Sequence, residues 1–536
     1  MTTILSAGGA SRNASRTRAL AEVGKASLTS GLVFAACPPV LVAEEESHRP
    51  AVGPVVAGLT VFYTSGAVLV LEILALRLLA PYVGVTLETY TATIATVLAG
   101  ISVGTWLGGY AADRVAPRRL LGPLLVAGGG LSLLSVPLVR ALGSAGDSSV
   151  IGLSLVGFFA PAAVLSAVSP TVVKLQLRDL STTGKVVGRL SALGTAGAII
   201  GTYLAGFVLV EAVATSTSIV AIAVSLILSG AVLWLRLWRG SARAVGAVLL
   251  LGLAGSTMAA STASPCDEET VYHCARVVPD ASRPGGRLLL LDTVRHSYVD
   301  LEDPTHLEFA YARVVADAIA VTAPPGPLRV LHIGGGGFTL PNYLRATRPG
   351  TTSTVLEIDP GLVRLAESRL GLRTGPDLDV KVGDARSLLE SVPESAHQVV
   401  IGDAFGGLAV PWHLTTEEFL TDVRTTMAGD GVYVMNLVDY PPLRFARAEV
   451  ATLRHVFGNV VAIARPSLFA GVPGGNVVLV ASAAPIDAER IAGAIAARGS
   501  GEQVLSGTEV EDFANDSRLL IDDWAPVDQW LSRSRR

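Results

Sequence analysis

The sequence predicts two structural parts in one chain: a multi-pass bundle of membrane-spanning helices, then an α/β domain with a doubly wound sheet. Three observations carry this. Half of the 536 residues are hydrophobic, 16% are charged and mean hydropathy is +0.52, against about 25% charged residues in an ordinary soluble domain. Apolar stretches near the ~20 residues that cross a bilayer recur through residues 54–261. From residue 328 short apolar strands alternate with helical stretches, the pattern of a parallel sheet. A wholly cytosolic globular protein is excluded, and so is a disordered chain, which needs low hydrophobicity. The net charge of −4 conceals an asymmetry: 17 Lys and Arg against 10 Asp and Glu through residue 265, then 24 against 35. So acidic a second part suits nucleic acid poorly and tolerates cationic substrates.

In chain order, residues 1–53 read as a disordered basic leader. Its apolar run 29–43 is short, holds two prolines, and carries a Phe34 that suits a lipobox at Cys37 poorly. The membrane domain, 54–261, offers about seven helices: 54–80, 90–112, 120–140, 149–173, 190–211, 214–235 and a shorter, Gly- and Ala-rich 244–261. Arg114, Arg118 and Arg119 follow the second; Lys174, Arg178, Lys185 and Arg189 follow the fourth; Arg236, Arg239 and Arg243 follow the sixth. The intervening loops 81–89, 141–148 and 212–213 have no Lys or Arg. This alternation places the basic loops in the cytoplasm, and with a seventh span everything after about residue 262 lies outside it. Gly100, Gly104 and Gly108, and Gly197 and Gly201, have the spacing of close helix packing. Glu72 and Arg77 sit inside the first helix, where charges are costly. They belong either to a solute pathway or to pairs near the membrane surface.

Residues 262–327 form a linker and a small β/α element, with a β reading at 285–301 and a helix over 305–320. Strands are expected at 328–333, 353–358, 378–382, 398–402, 431–437, 459–464 and 476–482, with helices such as 360–370 and 415–427 between them. The first strand runs into Gly334-Gly335-Gly336-Gly337, where backbone approaches a ligand closely. Glu357 ends the next strand about 20 residues on, as a ribose-binding carboxylate does. Asp384 and Asp403 end the third and fourth strands. One such acid would be a helix cap; three in register make a nucleoside site. Cys266 and Cys274 flank a short segment after the seventh stretch, and a disulfide there fits an oxidising exterior, two unpaired thiols being the alternative. Cys-x7-Cys, with His273 between, lacks the partners of a tetrahedral zinc site, so no metal is expected.

Residues 284–440 resemble the spermidine synthases, the polyamine aminopropyltransferases, and the whole chain resembles their fused, multi-pass membrane subgroup. The matching stretches are LLLLDTVRHSYVD, DPTHLEF, VLHIGGGG, VLEIDP, VKVGDARSLL and VVIGDAF…LTTEEF. The resemblance implies a class I methyltransferase-like (Rossmann-like) fold over 328–536, preceded by the small β element. It implies decarboxylated S-adenosylmethionine as co-substrate, with no bound cofactor. Gly334, Gly335, Gly336, Glu357, Asp384 and Ala385 would bind the nucleoside, Glu357 at the ribose and Asp384 on the adenine side. Asp403 would be the catalytic acid/base. His296, His306 and Glu308 would form the amine site. Two family aspartates are replaced, by Gly337 and Gly406, which weakens the case for a dicationic amine.

The expected function is therefore aminopropyl transfer to an amine such as putrescine. The alternatives are another S-adenosylmethionine-type transferase or transporter-coupled domain, or a non-catalytic nucleoside- or polyamine-binding module. Implied partners are a small-molecule amine, a nucleoside and the lipid bilayer, with no nucleic acid; a homo-oligomer is compatible with the sequence. The implied location is the cell membrane, with the C-terminal domain extracytoplasmic.

Overall fold

The computed structural model describes residues 52–145, 149–177, 179–238 and 264–533, with the single positions 246 and 257. The leader up to residue 51, Cys37 included, and the seventh apolar stretch apart from those two positions lie outside the described residues.

Among the described residues, six helices are long and apolar enough to cross a membrane: Pro54–Val83, Leu87–Arg114, Pro117–Ser144, Val150–Gln176, Leu180–Ala212 and Thr215–Leu237. They overrun the hydropathy boundaries because hydropathy marks the apolar stretch, whereas capping marks the helix. The fifth begins near Leu180, not residue 190, where the Asp179 carboxylate accepts the Ser181 N–H at 3.0 Å. Glycine sets the helix contacts. A Cβ at Gly104 would lie 1.9 Å from the Ala163 carbonyl oxygen of the fourth span, and one at Gly197 would lie 2.0 Å from that of Phe62 in the first. Both glycines are packing residues.

The C-terminal part opens with an antiparallel sheet of β1 (Glu268–Glu269), β2 (Cys274–Pro279), β3 (Gly286–Leu291) and β4 (Val294–Asp300), in that order. The expected helix at 305–320 begins later, at Ala310–Thr322, because Asp303 holds Thr305 in a turn through its N–H at 3.1 Å. The large sheet comprises β5 (Arg329–Ile333), β6 (Thr352–Glu357), β7 (Leu378–Val382), β8 (His397–Gly402), β9 (Met427–Asp439), β10 (Asn459–Ala464), β11 (Gly475–Ser482) and β12 (Gln503–Leu505). Its order is β12-β10-β11-β9-β8-β5-β6-β7. This is the arrangement of a class I methyltransferase-like fold.

The sheet is mixed, which corrects the parallel expectation. β5 to β9 run parallel, but β11 is antiparallel to both β9 and β10. The β10–β11 connection holds only the one-turn helix Pro466–Phe469, whereas a parallel crossover needs about a dozen residues or more. Strand order reverses at β5, with β6 on one side and β8 on the other. That switch point opens the crevice where ligands of such sheets bind.

Gly104→Ala should lower the thermal midpoint of the detergent-solubilised protein, since overpacking costs about 1–3 kcal/mol. Gly130→Ala, where an added Cβ meets nothing within 4 Å, should leave it unchanged. Scanning fluorimetry of the two variants checks this.

Candidate active site

The turn after β5 needs glycine at two points. Gly334 and Gly336 have φ of +98° and +53°, and a Cβ at Gly334 would lie 2.5 Å from the Asp403 carbonyl oxygen. The turn is held by Glu357, the last residue of β6. Its Oε2 accepts the N–H groups of Gly335 (2.8 Å) and Gly336 (3.1 Å), and its Oε1 accepts that of Asp359 (2.9 Å). A carboxylate offers about four acceptor positions, so roughly one remains for a ligand hydroxyl. Burial pushes the Glu357 pKa up against the pull of these three donors.

Asp384 caps the short helix Ala385–Leu389 by accepting the Ser387 N–H at 3.1 Å, and its other oxygen lies 3.0 Å from His413 Nε2. Burial pushes its pKa up, but the Ser387 N–H and His413 hold it below the usual carboxylate value. The two readings, helix cap and site residue, are both compatible with this geometry.

Asp403 follows β8 directly. Asn436 donates to its Oδ1 at 2.8 Å, and the Tyr311 hydroxyl donates to its Oδ2 at 3.2 Å. Asn476 in turn donates to the Asn436 carbonyl at 2.9 Å. Burial raises the Asp403 pKa to about 6 against both donors. His296 Nδ1 lies 2.9 Å from Ser297 Oγ, which accepts the Gly337 N–H at 3.0 Å. Burial lowers the His296 pKa to about 4, so the ring is neutral at pH 7.

These residues border two adjoining spaces. A cavity of about 590 Å³ is lined by His296, Glu308, Tyr311, Asp403, Asn436 and Asn476, and bordered by Arg295, Arg313 and Arg465. A narrower crevice is lined by Gly334, Gly336, Glu357, Asp384, Ala385 and His413. His296, Asp403 and Phe405 line both. Gly335 contributes its N–H to Glu357 and lines neither. His306, expected in the amine site, packs edge-on to Tyr298 with its Nε2 3.3 Å from Glu308 and also lines neither space. Gly406 closes a tight loop through its N–H to the Ala409 carbonyl at 2.8 Å. Cys266 and Cys274 are disulfide-bonded. Among the described residues no group of three His, Cys, Asp or Glu is placed to hold a metal.

Sequence reasoning missed Tyr311, Asn436, Asn476 and His413. Asn436 left a signal, a lone amide in the apolar run VYVMNLV. Tyr311 and His413 left none, since each reaches its carboxylate from a distant segment.

No family model matches the chain. The chain is 30% identical over 164 residues to a polyamine aminopropyltransferase of Vibrio vulnificus, covering 30% of this chain and 53% of the relative. It thus spans about half the length of the first curated relatives it matches. To polyamine aminopropyltransferase 2 of Streptomyces coelicolor it is 30% identical over 443 residues, covering 76% of this chain and 78% of that one. A solved structure of a probable spermidine synthase from Corynebacterium glutamicum matches at 29% identity and a TM-score of 0.46, covering 49% of this chain and 99% of that one.

Replacing Asn436 by Leu removes a donor that lowers the Asp403 pKa, so the carboxyl should titrate above pH 6. Infrared titration of the carboxyl stretch, with Asp403→Asn as the blank, reads the shift directly.

Proposed function

The chain belongs to the polyamine aminopropyltransferase family, and we propose from that premise that it moves an aminopropyl group from decarboxylated S-adenosylmethionine to an amine such as putrescine. The observation that carries the proposal is Asp403 at the junction of two spaces, one suited to each substrate. In this reading the nucleoside occupies the crevice, with the open position of Glu357 on a ribose hydroxyl and Asp384 and Ala385 on the adenine side. The amine enters the wider cavity.

An alkylammonium has a pKa near 10, so about one molecule in a few thousand is neutral and nucleophilic at pH 7. Asp403 attracts the cation and takes its proton. The freed nitrogen attacks the carbon beside the sulfonium; the C–N bond forms as the C–S bond breaks. The sulfur keeps the bonding pair and leaves as a neutral thioether, which needs no acid. A carboxylate whose pKa is about 6 is matched to a base working near neutrality. His296 lines both spaces, and its neutrality spares two incoming cations a repulsive charge.

The acceptor is the open part of the proposal. Gly337 and Gly406 supply no side-chain carboxylate, and three arginines border the cavity. Amines that also carry a carboxylate therefore belong in the assay beside putrescine. Those two glycines also favour a second reading, a nucleoside-binding module without turnover.

The bundle supports a multi-pass position in the cell membrane. Lys174 pairs with Asp113 at 2.8 Å where the second and fourth spans end, among the basic loops. The C-terminal part instead meets the opposite end, where the Thr215 N–H donates to Glu269 at 2.8 Å. Gly122, beside the basic start of the third span, packs on Trp234 of the sixth, so Leu237 and Ser264 lie at opposite ends of the bundle. This favours an extracytoplasmic C-terminal part.

Purified full-length protein with decarboxylated or intact adenosylmethionine and a panel of amines, its products weighed, tests the reaction; no product from any pair leaves only the binding module. Positioned proton transfer contributes about 10²–10⁴-fold, so Asp403→Asn should lower kcat by that factor with nucleoside affinity unchanged. Glu357→Gln should instead weaken nucleoside binding by about 1.5–3 kcal/mol. Wild-type kcat/KM should fall about tenfold per unit below pH 6 as Asp403 takes up its proton, and the Asn variant should lose that limb. Phosphatase and fluorescent-protein fusions after residue 300 test the side; fluorescence without phosphatase activity would reverse the assignment.

A further inference from the structure

Arg77, the cation inside the first span, is fastened to the C-terminal part. Its Nη1 donates to the Val271 carbonyl and its Nη2 to the Thr270 carbonyl. Both belong to the turn between β1 and β2, which the Cys266–Cys274 bond closes. The planar guanidinium fork suits two neighbouring carbonyls, whereas an ammonium serves one at a time.

The same turn reaches the crevice from its other side. The Thr270 hydroxyl donates to Asp359 Oδ2. Asp359 is 1% exposed. With Oδ1 it accepts the Gly361 N–H at 2.9 Å, starting the helix Pro360–Arg369, and its own N–H donates to Glu357 Oε1 at 2.9 Å. His273, next in the turn, lines the crevice and lies 3.0 Å from Asp292. Hydrogen bonds joined through the covalent frames of Thr270 and Asp359 therefore link a spanning helix to the carboxylate that holds the glycine turn.

We propose that Arg77 is a positioning residue for the nucleoside crevice: by holding the β1–β2 turn it fixes Asp359, and through Asp359 the orientation of Glu357. The proposal rests on the assignment of that crevice to a nucleoside. It gives the membrane bundle a part in donor recognition beyond anchoring.

The test uses full-length protein in lipid nanodiscs, with calorimetry of methylthioadenosine, the neutral product, beside steady-state kinetics. Arg77→Gln should raise the methylthioadenosine Kd and the donor KM about tenfold, the effect of one or two lost hydrogen bonds, with kcat at saturating donor and the amine KM unchanged. Arg77→Lys should restore part of the loss. Thr270→Val cuts the chain beyond Arg77 and should reproduce the donor-specific effect, which keeps the test open where Arg77→Gln fails to fold. Unchanged donor affinity in folded Arg77→Gln or Thr270→Val, or an equal loss of kcat and of affinity for both substrates, overturns the proposal. Wild-type protein that binds no methylthioadenosine overturns the nucleoside assignment itself, and the proposal with it.

Discussion

A single buried carboxylate ties the centre of the molecule together. Glu357 accepts three backbone N–H groups, two from the turn after β5 and one from the turn after β6. Strands that sit side by side need not end in register, and their loops need not converge; this carboxylate makes both turns face one point. The donors, each a charge-assisted bond stronger than a neutral one, offset part of the cost of burying the charge, and burial still pushes the Glu357 pKa up. The glycine conformations at Gly334 and Gly336 follow from the same constraint, because the backbone must present successive N–H groups to one oxygen.

Asp403 is buried as well, with two side-chain donors in place of three backbone ones. Two side-chain donors, Asn436 and Tyr311, satisfy it only partly, so desolvation prevails and its pKa rises to about 6. Tyr311 remains a donor, because burial and the neighbouring carboxylate drive its own pKa up. Two carboxylates at the ends of the strands that flank β5 thereby sit in different settings. One is held by three backbone donors, and the other by two side chains.

What the sequence disclosed follows the range of the interactions concerned. The spans were legible because hydropathy is a local sum, and Glu357, Asp384 and Asp403 were legible because each ends one of three consecutive expected strands. Helix ends were less so, since Asp179 extends the fifth span into polar sequence. The reversal of β11 was hidden in a connection whose length alone was informative. Arg77 stood out as a costly charge, yet its partner Val271 is 194 positions away, beyond any periodicity. Tyr311 and His413 share that property, and so does the failure of His306 to reach the wider cavity.

The docking of the C-terminal part onto the ends of the spans has a consequence for supply. In the proposed arrangement, with the bundle in a bilayer, the ends of the spans that the β1–β2 turn meets lie at the membrane surface. Where the leaflet on that side carries anionic lipid, cations are concentrated within a Debye length of about 8 Å at physiological salt. Under the proposed reaction the site would sample the interfacial amine, so its apparent affinity would follow lipid composition and ionic strength as much as the chemistry of its pocket. A soluble relative with identical side chains would lack that dependence.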